Sequence, residues 1–461
     1  MSEIPCIESP GTGSASIRTA KDKGKMFYAV FMMLSLLSFF RLITMRIEPG
    51  SIPVWIWIIR LMTVPLAIWL GELWKDKTAK ILWIYTAWIF LRVFLDDPNR
   101  LFSDVVSGSV LSSIWLFTSC YALGRILTGD SLKKFVTVFA FMWVAGIAVY
   151  SCFGIYTAWT GNWFHVYTNS YIETWSGRLD LVYPPTTTGS FLGMTVLIAI
   201  IAILSAKKKA IKVLFAFLEL PILLALALTD SRTAYISCSA GIAIITLILI
   251  MARYKKNGCK PPVKAWLMGI IGMLLVFVSV NFLLRQLTPA FVYFRDRGLL
   301  LSARAEVMDG TPANMLHRDL ANINELGSRA EVWSAALKYL WENPLNWLIG
   351  ASKYRPLSAF TSHYAHTHNI FLQILIESGV PGLIMILSVV VTTLRNSCKI
   401  LSKQAEKYIM LIPSIVLAFW IGDLAECFTW LGLSQCPMIA VLLTSIGIIN
   451  NTETHYPASM L

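Results

Sequence analysis

The sequence is poor in charge, poor in histidine and without paired cysteines. Only 14% of its 461 residues are charged, against 56% hydrophobic. That balance excludes a soluble composition, although the length would suffice for two or three soluble domains. Eight cysteines form no CxxC pair, and Cys120, Cys238, Cys259, Cys398 and Cys436 fall in expected spans or cytoplasmic segments. Neither a disulfide framework nor a zinc site is indicated. Acidic residues are the minority, 26 against 39 basic ones. The excess of +13 does not mark a nucleic-acid binder, because the basic residues concentrate in short connections between apolar runs, which is the positive-inside pattern of membrane proteins. A cleavable signal is also not evident: the first apolar stretch, Met26 to Met45, is longer than a signal core and runs into Arg46 and Glu48 without a small-residue cleavage pattern.

What is present is a succession of apolar runs, each long enough to cross the roughly 30 Å hydrocarbon core as a helix. Lipid cannot satisfy open backbone groups, so the expected fold is all-α and polytopic, with about twelve transmembrane helices. Spans are expected near 26–46, 52–74, 81–96, 105–126, 135–158, 186–205, 211–229, 232–252, 264–286, 379–395, 407–425 and 430–449. Basic clusters fall on alternate connections: 18–25, 75–80, Lys133 and Lys134, 207–212, 253–264 and 395–407. These are expected in the cytoplasm with both termini. The segments 159–185, the turn at Asp230 and Ser231, and 287–378 are then outside. The chain divides into a tail (1–25), nine spans (26–286), a large extracytoplasmic loop (287–378), three spans (379–450) and a second tail (451–461). That last tail carries no lipidation or retention signal.

The large loop is not low in complexity and is expected to fold. Ser328 to Glu342 reads as an amphipathic helix, with Val332, Trp333, Ala336, Leu337 and Leu340 at helical spacing, stopped by Asn343 and Pro344. Charges deep in a span cost about 2.5–3.5 kcal/mol on insertion scales. Arg60, Arg92 and Glu219 are the deepest, and an ion pair of Arg60 with Glu219 is one expected solution. At the outer ends gather Arg178, Asp180, Asp230, Arg232, Arg329, Glu331, His363, His366, His368, Asp423 and Glu426. An interfacial arginine ordinarily snorkels to lipid phosphate. His363, His366 and His368 lack a neighbouring Cys or acidic ligand and any recognised zinc spacing, so no metal is expected.

Four blocks resemble the O-antigen ligase and O-antigen polymerase superfamily of bacterial membrane glycosyltransferases. The first is Gly177-Arg178-Leu179 with Tyr183-Pro184-Pro185 and Gly189; the second is Ser231-Arg232. The third runs from Ser328-Arg329 through Trp333 and Asn343-Pro344 to Gly350. The fourth is His368-Asn369, nine residues, Gly379, two residues, Gly382. Singly each is common; in this order and on one expected face they are specific.

The resemblance implies a GT-C-like fold and a glycan donor linked to undecaprenyl pyrophosphate, with a glycan or lipid-glycan acceptor. It implies no cofactor, and membrane lipid but no nucleic acid among the partners. Arg232 and Arg329, with Arg178, are expected to grip the pyrophosphate, as guanidinium groups do. His368 is the expected general base, since imidazole exchanges protons near neutral pH. Asn369 and Asp230 are expected substrate contacts, and Asp230, Asp423 and Glu426 remain alternative bases or orienters. Trp159, Trp163, Trp175, Tyr183 and Tyr364 suit either sugar stacking or an interfacial belt. The expected product is a surface polysaccharide of the cytoplasmic membrane pathway: O-antigen, capsule or exopolysaccharide. The Arg178, ten residues, Gly189 spacing and Leu383, where ligases often carry Thr, lean towards a polymerase. A transporter or flippase for an amphipathic solute is the rival; it predicts charges through the bilayer and paired broken helices. A binding or assembly protein is the third reading.

Overall fold

A computed structural model describes residues 12–37, 54–99, 109–160, 179, 185–256, 262–297, 324–351, 367–402, 407–424 and 437–451. Among the described residues all regular structure is helical, as a chain whose backbone must satisfy itself in lipid requires. The first half contributes α1 (Thr12–Leu37), α2 (Val54–Gly71), α3 (Lys77–Asp96), α4 (109–126), α5 (Gly129–Thr160) and α6 (Pro185–Ser205). The second contributes α7 (Lys209–Leu228), α8 (Arg232–Lys256), α9 (Val263–Arg297), α10 (Asn324–Glu342), α11 (Pro344–Ile349), α12 (Ile370–Ser402), α13 (Lys407–Asp423) and α14 (Pro437–Asn450).

Seven of the described helices, α3, α5, α6, α7, α8, α9 and α12, are long and apolar enough to cross a membrane. The protein is therefore an all-α polytopic membrane protein. Helices α1, α2, α4, α13 and α14 occupy the other five expected spans without meeting length and hydropathy together. Three expected domain borders fall inside helices: α9 runs on to Arg297, α12 begins at Ile370, and α1 begins already at Thr12. The second difference has a local cause. Gln373, Glu377 and Ser378 dilute the hydropathy of an apolar helix, and Gly379 (φ 69°, ψ −173°) with Pro381 kinks it before the span proper.

The core is built from α6, α8 and α13, which pack on one another; α14 lies against α13 and α4, and α3 runs along α12. At the crossing of α4 and α14, a Cβ on Gly124 would fall 2.6 Å from the Gly447 carbonyl carbon, so the two backbones meet without side chains. The end of the same crossing is tied by Asn451, whose amide donates to the carbonyls of Gly124 (3.4 Å) and Arg125 (3.0 Å). Arg125 in turn pairs with Asp76 at 2.7 Å, and Asp76 caps α3 at Ala79 N (2.6 Å) and accepts from Tyr121 Oη (2.9 Å).

Arg60 is buried, and its guanidinium lies 4.5 Å and 5.3 Å from the ring centres of Trp115 and Trp57. Glu219 sits on α7, which packs against α5, α6 and α9. Aromatic faces thus meet the Arg60 cation, which a ring quadrupole attracts. Arg92 has a different task, described below.

A small second core carries the loop helices. Val332, Ala336 and Leu340 of α10 are buried against Leu375 and Ile376 of α12. Trp333 and Leu337 stay partly exposed, so the expected amphipathic face is the one that docks. Asn343 is extended and caps α11, accepting from Leu345 N at 3.0 Å, with Pro344 at the first helical position where a missing N–H is harmless.

Candidate active site

Two groups of functional side chains form at one end of the bundle. The first is the turn between α7 and α8. Thr229 and Ser231 are buried, Asp230 is left-handed at φ 44°, and Ser231 Oγ accepts from Ala234 N at 3.3 Å to start α8. The hydroxyls of Tyr235 (2.5 Å) and Thr288 (2.7 Å) both donate to the Ala227 carbonyl, one of those a helix end leaves open. Arg232 is thus the first residue of a helix whose start is locked, and it is half-buried there.

The first sequence block is drawn onto this turn. Leu179 is buried and its N–H donates to the Leu228 carbonyl at 2.9 Å. A Cβ on Gly189 would lie 2.8 Å from Thr229 Oγ1 and Ser231 Cβ, so glycine lets the start of α6 close on the turn. Arg178 itself lies outside the described residues.

The second group surrounds His368, which adopts φ 52°, a conformation uncommon outside glycine. Its neighbours are pinned on both sides. Thr367 N donates to Gln373 Oε1 (2.8 Å), and Gln373 Nε2 donates to Glu377 Oε1 (2.7 Å). Asn369 Oδ1 accepts from Phe371 N (3.1 Å) and Leu372 N (3.0 Å), the capping geometry of a helix start. Asn369 Nδ2 donates to the Leu424 carbonyl at the end of α13 (3.0 Å). Asn369 therefore has a structural task beside its expected substrate contact, for which one amide hydrogen is left. His368 itself is half-buried.

A long-range bond joins α10 to this turn: Trp333 Nε1 donates to the Thr367 carbonyl at 2.8 Å. Arg329 is half-buried four residues earlier on the same helical face, so the bond directs that face towards His368. Behind it α11 is wedged into the kink of α12. Gly350 and Gly379 have φ of 68° and 69°, and a Cβ on Gly350 would lie 2.6 Å from the Ile376 carbonyl oxygen. Ala351 N donates to that carbonyl (2.5 Å). From α3, Trp88 Nε1 donates to the Ser378 carbonyl (2.7 Å) and Arg92 Nη2 to the Gly350 carbonyl (3.2 Å). The deep charge of Arg92 thus closes a backbone acceptor at the end of α11, as Trp88 does at the kink.

Hydrogen bonds consequently bring together α10 with Arg329, the His368–Asn369 turn and the end of α13, where Asp423 is fully buried. α13 also packs on α8, with Ser237 Oγ donating to the Ala418 carbonyl (2.7 Å), and so stands between the two groups. Among the expected residues, Asp180, His363, His366, Glu426, Trp163, Trp175, Tyr183 and Tyr364 lie outside the described ones. Trp159 is engaged edge-on with Phe291, ring centres 5.5 Å apart. Glu331 points to the exterior. Sequence reasoning missed Trp333 as a tether and Gln373 and Glu377 as supports. The available signal was Asn369, Gln373 and Glu377 recurring every fourth residue, on one face of an apolar run. Among the described residues no three His, Cys, Asp or Glu side chains gather as a metal-binding group.

Among curated proteins none matches the sequence. Residues 217–387 match the family model described as O-antigen ligase, a stretch that takes in Arg232, Arg329, Gly350, His368 and Gly379 and leaves the Arg178 block outside. Over that stretch the chain is similar to the O-antigen ligase family.

Proposed function

We propose that the protein transfers a preassembled glycan from undecaprenyl pyrophosphate to an acceptor hydroxyl, at the outer face of a bacterial cytoplasmic membrane. The observation that carries the proposal is the Trp333–Thr367 bond, which joins the Arg329 helix to the His368 turn. The orientation rests on the alternation of basic connections in the sequence and puts both termini in the cytoplasm.

In this reading Arg232 and Arg329, with Arg178, bind the pyrophosphate oxygens and stabilise the charge that grows as the glycosidic C–O bond to phosphate breaks. The N-termini of α6 and α8, which Gly189 brings together, add positive dipole ends to the same region. His368 takes the proton of the acceptor hydroxyl as its oxygen bonds to the anomeric carbon from the opposite side. The sugar inverts, undecaprenyl pyrophosphate leaves, and the guanidinium groups supply the charge neutralisation that metal ions provide elsewhere. A second lipid-linked glycan as acceptor, the polymerase reaction, is favoured by the Arg178–Gly189 spacing and by Leu383.

The test is deletion in the host and complementation with the normal gene or with Arg232→Ala, Arg329→Ala or His368→Ala. The expected result is loss of long surface glycan with each variant at normal membrane abundance. Normal glycan from all three would overturn the assignment. Single units still attached in the deletion strain identify a polymerase, whereas long chains stranded on the polyprenol identify a ligase.

A further inference from the structure

A cavity of about 530 Å³ opens at the end of the bundle away from His368. Its volume lies within the ~300–1,000 Å³ typical of small-ligand sites. The wall is made by the last turns of α6, one face of α14 and the first turns of α5, α7 and α13, with Leu36 of α1 and Leu123 of α4, and its interior is apolar, with Phe139, Phe215, Ile412 and Val441 among the lining residues. Three lysines from three different helix ends line it as well: Lys133 near the start of α5, Lys207 just after α6 and Lys407 opening α13. Among the described residues no aspartate or glutamate lines it. The Ser205 hydroxyl on the same wall is buried and makes no hydrogen bond within the protein.

An apolar chamber that three lysine ammonium groups join at helix ends matches an amphiphile with a hydrocarbon tail and an anionic head. A soluble anion would have no use for the chamber, and a neutral lipid none for the lysines. Basic pockets between transmembrane helices hold anionic lipid heads by this chemistry. We propose that the cavity is a binding site for an anionic phospholipid: an acyl chain fills the apolar interior and the head phosphate sits on Lys133, Lys207 and Lys407. The assignment to the cytoplasmic leaflet rests on the orientation proposed above; the site itself does not.

The experiment is native mass spectrometry of the purified full chain in mild detergent, titrated with phosphatidylglycerol, phosphatidylcholine or a polyprenyl phosphate. Phosphatidylglycerol is expected to stay bound where phosphatidylcholine does not. Lys133→Gln, Lys207→Gln and Lys407→Gln combined should weaken it roughly tenfold or more. The same change at Lys134, Lys208 and Lys209, which do not line the cavity, should leave it unchanged. Ala202→Trp, on the wall, should block binding with every lysine in place. It also decides the matter if the triple variant fails to elute as the normal protein does. Equal retention of the two phospholipids, equal loss in the control triple variant, or displacement of phosphatidylglycerol by polyprenyl phosphate at equal concentration would each overturn the proposal. Binding is read without glycan transfer, so a chain with no transferase activity still tests the lipid site.

Discussion

At the scale of single residues, His368 combines a strained backbone with fixed neighbours. A left-handed non-glycine residue costs about 1–2 kcal/mol, which here is offset by bonds made through Thr367 and Asn369. Replacement therefore separates chemistry from folding. His368→Gly is expected to keep or raise the thermal unfolding midpoint, because glycine accepts φ 52° freely, while glycan transfer falls about 10²–10⁴-fold as for loss of a general base. His368→Val should lower both. Glu377 is linked to the turn through Gln373. Glu377→Leu should cut kcat about 10–100-fold with KM little changed, since the base is displaced rather than removed. Glu377→Gln, which keeps an acceptor for Gln373, should restore most of it; steady-state transfer in proteoliposomes checks both. The sequence pointed to His368 by its block, but the support was harder to see. Gln373 and Glu377 looked like dilution of an apolar run, and only the fold reveals that their polar ends bond along the helix to Thr367.

Elements show the same division. The periodicity from Ser328 to Glu342 was enough to place α10 and its buried face, because helical spacing is a local property. The start of α12 and the wedging of α11 were not legible. They depend on Gly350 closing on the Ile376–Ser378 backbone and Gly379 on that of Trp347 and Leu348, contacts between positions whose spacing carries no local signal. The glycines at these two places nonetheless belong to blocks three and four, and the structure gives the reason: a Cβ on Gly350 would fall on the Ile376–Ser378 backbone, and one on Gly379 on that of Trp347 and Leu348. Gly350→Ala is expected to lose about 1–3 kcal/mol from the backbone conformation alone, with more from the overlap with Ile376. A lower midpoint in thermal unfolding, together with reduced transfer, is the result that checks it. Arg60 belongs to this scale too, for an ion pair was a reasonable expectation from hydropathy. Only the arrangement of α2 beside α4 supplies Trp115 as the second face.

Across the whole molecule the two ends differ in kind. The His368 end is held by capped turns and tethers, and the opposite end by the cluster of Asp76, Arg125, Tyr121 and Asn451. Asp76→Ala removes a cap, an ion partner and a phenol acceptor together and leaves Arg125 largely buried without its acid. The expected loss is about 3–5 kcal/mol, read as a lower unfolding midpoint in detergent. Sidedness is checked separately: a cysteine introduced at Lys208 should react with an impermeant maleimide only in inside-out vesicles, and one at Asp230 only in intact spheroplasts. The reverse labelling would invert the proposed orientation.

The bond from Arg92 to Gly350 joins residues 258 positions apart. At 5–20 residues per second, synthesis takes on the order of ten to fifty seconds to supply that acceptor after α3 has entered the membrane. During that interval Arg92 and Trp88 have no α11 or α12 to bond, so the newborn chain carries an uncompensated cation in its third helix until the last quarter of the message is read. Completion of the His368 end is thereby also the moment at which the early helices become comfortable in lipid. A chain truncated before Gly350 should be recognised and degraded while one truncated after Ser402 persists, which couples survival of the protein to possession of its working end.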